Sequence, residues 1–160
     1  MTYFVSILTA CFASLVLLVS PAHSESQLMP HKDGTITDTL QMVMWASEDN
    51  GVDIGFEDAE KYAKYAFPYA IPTEYDNWRI PYVSELKRLY NEVKRDPKTT
   101  AACGKSLRMP PHITLSCNWV WAIRKKTGQH VVFNFAYGSA FGQESGDISG
   151  CRVLPVRDLL

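Results

Sequence analysis

The chain has 160 residues, a length that suits one domain. Hydrophobic residues make up 46%, aromatic residues 12% and charged residues 21%, a globular composition that excludes a disordered chain. The formal net charge of -1 lacks the basic excess of a generic nucleic-acid binder.

The opening "MTYFVSILTACFASLVLLVSPAHS" contains no Asp, Glu, Lys or Arg and is apolar through Val19. It ends in Ala22-His23-Ser24, a small-x-small site, and reads as a secretory signal peptide over residues 1–24, although it lacks a basic n-region. Cleavage after Ser24 would leave no membrane span and a periplasmic or secreted protein. An uncleaved anchor is the alternative, but the apolar run falls short of the roughly 20 residues of a spanning helix. "LTAC" looks like a lipid-attachment box, yet "FASLVLLV" follows it, where such a box should come after the apolar core. Cleavage would also remove Cys11. Of the remaining Cys103, Cys117 and Cys151, two are expected to pair in an oxidising compartment. No C-x-x-C occurs, which argues against a thioredoxin-like motif or a zinc knuckle.

Residues 25–32 are polar and aperiodic and read as a flexible leader. Asp33–Asp38 alternates after a Gly turn and reads as a strand, and Leu40–Trp45 is a second apolar run of strand length. Ser47–Gly55 is rich in turn formers. Phe56, Ala59, Ala63 and Ala66 then fall on one helical face, with Glu57, Asp58 and Glu60 early, where they suit the dipole. Pro68 and Pro72 should stop this helix. A second helix should begin after Pro81, bury Val83, Leu86, Leu89 and Tyr90, and end by Asp96-Pro97. A long loop over Lys98–Thr114 follows. Leu115–Ile123 and Gln129–Gly138 read as a hairpin around a basic turn ending in Gly128, with a Gly/Ser loop after it. Cys151–Asp158 is the closing strand, with Pro155 at an edge or bulge. The layout is α+β.

Four blocks in order, "DGTITDTLQMVMW", "FEDAEKYA", "NWRIPYVSELKRLY" and "SCNWVWAI…VVFNFAYG…CRVLPVR", resemble the Lcl C-terminal domain family, a bacterial domain of unknown function. The likeness covers Asp33 to Asp158, taken as one domain over 33–158. It implies a C-type-lectin-like fold, with two short helices packed on a small, mostly antiparallel twisted sheet with long loops, distantly related to formylglycine-generating enzymes. It also implies a surface or periplasmic binding module. The sequence departs from the family pattern at Gln41 and Val43, at Tyr82 and at Asn118–Trp121. The family has a Thr at the position of Tyr82, which would complete a capping box with Glu85; Tyr82 cannot, so the helix start should be weaker or capped by another group. In this frame Trp78 would cover the sheet, Arg79 would hold carbonyls or an acidic partner, and Pro81 would start the helix. Trp45, Leu86, Trp119 and Arg152 fall in the same structural blocks. The fold would place Cys117 and Cys151 on paired strands and so implies a disulfide between them, with Cys103–Cys117 as the competing pair.

For function, the resemblance to formylglycine-generating enzymes lacks their closely spaced reactive cysteine pair, which points to a non-enzymatic protein. His31, His112 and His130 are widely spaced, so neither a metal nor a cofactor is expected. Lectin calcium triplets are absent, and aligning Gly51 of "EDNGVD" with an EF-hand turn puts Ala46 at the first ligand position. Two acid pairs, Glu144 with Asp147 and Glu74 with Asp76, fall in loops without a nucleophile. Ala136–Ser149 mixes aromatic and adaptable polar residues and nominates Tyr137, Phe141, Gln143 and Asp147 as ligand contacts. The exposed basic turn Arg124-Lys125-Lys126 could meet an anionic glycan or be plainly solvated. The expected partner is a glycan or an envelope protein, and not a nucleic acid. The alternative is a structural accessory subunit of a cell-envelope or secretion assembly.

Overall fold

The computed structural model describes residues 28–72, 74–93, 99–142 and 149–160. The signal-peptide reading of residues 1–24 lies outside them, as do Gln143, Glu144 and Asp147. Among the described residues, no helix is long and apolar enough to cross a membrane.

The architecture is α+β. One antiparallel sheet contains β1 (Leu28–Pro30), β2 (Thr35–Asp38), β3 (Val43–Ala46) and β10 (Val156–Asp158), in that order. A second sheet has the order β8 (Ser139–Gly142), β7 (His130–Asn134), β6 (Trp119–Ile123) and β9 (Cys151–Arg152), with β9 parallel to β6. A small hairpin pairs β4 (Thr99–Thr100) with β5 (Ser106–Leu107) inside the segment expected to be a loop. Where one small sheet was expected, two of four strands form. The end of the supposed leader is strand β1, because buried Leu28 gives it an apolar anchor opposite Asp38.

The second sheet is covered on both sides, which explains why Val131–Phe135 is a continuous apolar run broken only by Asn134. Val120, Ala122, Val131 and Phe133 face the main core, with Trp45 and Ile36 of the first sheet and Leu86 and Leu89. Trp121 and Val132 face a second cluster under Phe56, Ala59 and Ala63. Trp121 meets Phe56 edge-on at 5.5 Å, and its indole N–H donates to the Ile54 carbonyl at 2.7 Å.

The first helical stretch is longer than the prolines suggest. It comprises α1 (Phe56–Lys61), a π-helical turn (Tyr62–Ala66) and α2 (Phe67–Ala70). In the π turn the Phe67 N–H donates to the Tyr62 carbonyl, which adds one residue to the turn. The buried stripe therefore passes from Ala63 to Phe67, and Ala66, expected inside, is exposed. Pro68 falls at the start of α2 directly after the π turn, and the helical stretch continues through it to Ala70.

Helix α3 (Val83–Glu92) buries Leu86 and Leu89 completely. Tyr82 is its N-cap, so Pro81 stands one residue before the cap rather than at the first helical position. The Pro81 carbonyl instead accepts the Ile123 N–H at 3.0 Å, and Tyr82 bridges Ile123 in parallel. The cap comes from Glu85, whose Oε2 accepts the Tyr82 N–H at 2.7 Å. Opposite, Pro155 lies between β9 and β10, where the chain crosses from one sheet to the other, and its carbonyl accepts the Ala46 N–H at 2.9 Å.

The disulfide joins Cys103 to Cys117, with Cα atoms 5.3 Å apart, and corrects the expected Cys117–Cys151 pairing. The Cys103 N–H donates to the Ser116 carbonyl at 2.9 Å, which brings the 103 loop alongside Cys117. Cys151 does lie on a strand paired with β6, but opposite Trp119, and its thiol is buried in the second cluster. Burial and Asp53 push that thiol up to about 12, against the opposing pull of Arg152.

The β2–β3 connection is built on buried Asp38. Its carboxylate accepts the Leu40 and Gln41 N–H groups at 3.0 and 2.9 Å and the Gln41 amide at 2.8 Å. The Trp45 indole N–H points at it from 3.4 Å. Met42 then takes φ 54°, so the apolar run expected as a strand from Leu40 begins only at Val43. Glu92 feels Asp38 from across the core. Burial and Asp38 push Glu92 up to about 7 from 4.5, opposed by Arg88, and its buried Oε1 has no hydrogen-bond partner among the described residues. The folded protein then holds a proton that the unfolded chain releases, so stability falls as pH rises from about 4.5 through about 7. Glu92→Gln should raise stability at pH 8 by about 1 kcal/mol and change little at pH 4, because a side chain partly in water delivers only part of the linkage. Urea denaturation of both proteins at the two pH values checks this.

Candidate functional site

The NWRIPY segment is a corner tied to both sheets. Arg79 exchanges backbone hydrogen bonds with Val156 of β10 at 2.8 and 3.0 Å, while Pro81 and Tyr82 meet β6. The Arg79 guanidinium donates to both Glu85 oxygens at 3.0 and 2.8 Å, and to Asp158 at 2.6 Å. Burial alone would lower the Arg79 pKa; the two carboxylates outweigh burial and hold it above its ordinary value. Its guanidinium also lies 4.5 Å from the Tyr82 ring centroid. Trp78 is buried edge-on against Phe67 at 4.6 Å. Both side chains are consumed by the fold and offer no ligand clamp. Arg152 is likewise committed: its Nε donates to Ser116 Oγ at 2.6 Å, and Ser116 Oγ donates to Asp49 at 3.0 Å. Asp49 and Asn50 of the acidic loop are thereby bound into the structure, Asn50 accepting the Val153 N–H at 2.9 Å.

The expected ligand loop divides. Phe141 lies on β8, half-buried edge-on against Trp119 at 5.5 Å, and belongs to the second cluster. Tyr137 is 72% exposed in the β7–β8 turn and lines a pocket with Tyr90 and Arg108. The two aromatics therefore serve different surroundings and do not form one binding face. Gln143 and Asp147 lie outside the described residues. His130 is exposed, as its alternation suggests, and stacks on Phe56 at 3.5 Å.

A different concavity, about 570 Å³ in volume, gathers exposed aromatics beside acids and an amide. The end of the first helical stretch supplies Tyr65 and Tyr69, and the strand-free segment after Pro72 supplies Glu74, Tyr75, Asp76 and Asn77. Tyr65 is 58% exposed and Tyr69 is 92% exposed. Lys64 lies over the Tyr65 ring at 5.2 Å and Arg157 over Tyr75 at 4.9 Å, which holds two of the rings in place. The Asn77 amide donates to Asp76 at 2.8 Å, and Asn77 takes φ 60°, a conformation its short polar side chain tolerates. Chemically, the groove offers flat apolar faces ringed by hydrogen-bond acceptors and donors.

Sequence reasoning overlooked this groove. In the sequence Glu74 and Asp76 read only as an acid–base pair. The available signal was the i, i+4 spacing of Tyr65 and Tyr69 off the buried stripe, followed by the Pro-bounded run "TEYDN". No cluster of three or more metal-ligating side chains occurs among the described residues.

No protein-family model matches the chain, and no curated protein or solved structure matches it at a significant level.

Proposed function

We propose that this protein is a non-enzymatic recognition module, periplasmic or secreted, that binds a saccharide in the Tyr65–Tyr69–Tyr75 groove. The observation that carries the reading is the meeting of exposed tyrosine rings with Glu74, Asp76 and Asn77 in one concavity. Tyrosine faces suit the C–H faces of a pyranose, while carboxylates and an amide suit its hydroxyls. The four sequence blocks support membership of the Lcl C-terminal domain family and a C-type-lectin-like fold, and the α+β layout accords with that reading. The Cys103–Cys117 bridge accords with an oxidising compartment. Two features favour binding over catalysis. Cys151 is buried and held as a thiol rather than a thiolate, and among the described residues the groove is lined by no Ser, Thr, Cys or His.

A glycan array probed with oxidised protein tests the reading. Saturable binding to one glycan class is expected, weakened roughly tenfold or more by Tyr69→Ala. Tyr69 is almost fully exposed, so its removal should shift stability by no more than about 0.5 kcal/mol. Glycan binding unchanged in Tyr69→Ala, or no glycan bound by folded protein, would refute it.

A further inference from the structure

The pocket that holds Tyr137 is chemically opposite to the tyrosine groove. It encloses about 490 Å³ and is lined by Tyr90, Lys105, Ser106, Arg108, Asn118 and Tyr137, among others. Two of these side chains are cations and none is an anion. Among the described residues, neither Lys105 nor Arg108 forms a salt bridge. This contrasts with half-buried Arg79, which is neutralised by two carboxylates, and is shared by half-buried Arg157, which stands over Tyr75 outside this pocket. The Arg108 guanidinium lies 5.1 Å from the Tyr90 ring centroid, and its buried Nε has no acceptor among the described residues. Among those residues its charge has no carboxylate partner.

The walls are built rather than incidental. The Arg108 N–H donates to the Phe135 carbonyl at 2.9 Å, and the Phe135 N–H donates to the Asn118 carbonyl at 2.8 Å. The Asn118 amide and the Ala136 N–H both donate to Asn134 Oδ1, at 3.3 and 2.7 Å. The disulfide ties the loop bearing Lys105 to the residue beside Asn118. Gly138 takes φ 67° with the Tyr90 ring packed so close that a Cβ there would overlap it, which fixes Tyr90 against the turn. Such bonding means that little ordering remains to be done when a ligand arrives.

We infer that this pocket is a phosphate site, taking the phosphate monoester of a small ligand against Lys105 and Arg108, with Tyr137 beside the rest of the molecule. A phosphate monoester carries about -1.5 to -2 charges at neutral pH and three acceptor oxygens, which matches two cations and the Ser106 hydroxyl better than a singly charged group does. The volume exceeds what phosphate needs, leaving room for a sugar-sized remainder beside the exposed ring of Tyr137. The inference does not depend on saccharide binding in the other groove.

The test is a titration of the oxidised protein at pH 7.5 with hexose 6-phosphate, hexose 6-sulfate, unmodified hexose and inorganic phosphate, followed residue by residue by 1H–15N NMR. Saturable shifts confined to 105–108, 118 and 136–138 are expected with the phosphate ester, weaker ones with the singly charged sulfate ester, and none there with hexose. Inorganic phosphate shifting the same residues as tightly as the ester would overturn the part assigned to Tyr137. Arg108→Gln should weaken the ester roughly tenfold or more. Lys105→Gln, at an exposed position that carries no fold, should weaken it several-fold, and Lys126→Gln in the basic turn should not. Unsaturable shifts shared with Arg124–Lys126, or a sulfate ester bound as tightly as the phosphate ester, would overturn the inference. Loss of hexose recognition in Tyr69→Ala with phosphate binding intact would separate the two sites.

Discussion

Replacing Cys103 and Cys117 together by alanine is expected to lower the unfolding free energy by about 3 kcal/mol. The bridge closes a loop between positions 14 apart in sequence, and removing it returns that loop's conformational freedom to the unfolded chain. The cost should extend beyond the global balance. The loop carries β5 and the Lys105 edge of the cationic pocket, β4 pairs with it from just outside, and the remaining ties at its tip are backbone bonds such as Cys103 N–H to Ser116. Amide exchange should therefore accelerate most over residues 99–108, and phosphate affinity should drop along with stability. Guanidinium denaturation with and without reductant provides the measurement. Wild type should lose the same stability on reduction, and the double variant should be indifferent to reductant. Cys151→Ala should keep the reductant sensitivity. Were Cys151→Ala to abolish it instead, Cys151 would be in the bridge and the description of the pocket wall would fail.

Arg79→Met should destabilise by about 2–3 kcal/mol. The Arg79–Glu85 pair is mostly shielded, with side chains 23% and 13% exposed, so it lies between a surface pair worth at most about 1 kcal/mol and a buried one whose rupture costs about 3–5. Loss of the guanidinium leaves the Glu85 carboxylate shielded and short of two donors while it still caps the Tyr82 N–H. Asp158 is 62% exposed, so Asp158→Asn should change stability by no more than about 0.5 kcal/mol. A double-mutant cycle with Glu85→Gln isolates the pair: the double variant should be less destabilised than the sum of the singles, because Gln no longer carries a stranded charge. Additive losses would mean that Arg79 acts through its backbone bridge to Val156 and its contact with Tyr82 alone.

The large effect expected at Arg79 reflects how the corner is assembled. One short segment joins β10 of the first sheet, β6 of the second and the start of α3, so a single guanidinium stands where three elements meet. That commits the Arg79 guanidinium to the fold, while Tyr65 and Tyr69 stand exposed on a separate surface.

Local pattern was enough for the features whose cause is local. The stripe of Leu86 and Leu89 marks α3, because a period near 3.6 puts both on the core side. The β6–β7 hairpin with Gly128 at φ 70° follows from two apolar runs and a residue free to turn left-handed. The start of α3 was legible only in part: Tyr82 breaks the Thr-based capping box, and the structure shows Glu85 still reaching back to the Tyr82 N–H. Other features depended on neighbours distant in the chain. The π turn that exchanges Ala66 for Phe67 is rewarded by burial of Phe67 in the main core, against Trp78 and Tyr62. The choice of Cys103 over Cys151 followed from a backbone bond to Ser116 and from the strand register that turns Cys151 into the second cluster. Both grooves are formed between segments that share no periodicity: Tyr65 with Asp76, and Lys105 with Tyr137. Periodicity reports which side of an element is buried, and it carries no information on which exposed side chains are brought face to face. For this protein the sequence alone determined the class of fold and much of its core. The tertiary structure decided the disulfide and the placement of the groups left open to a ligand, because both depend on distances between segments that local propensity does not encode.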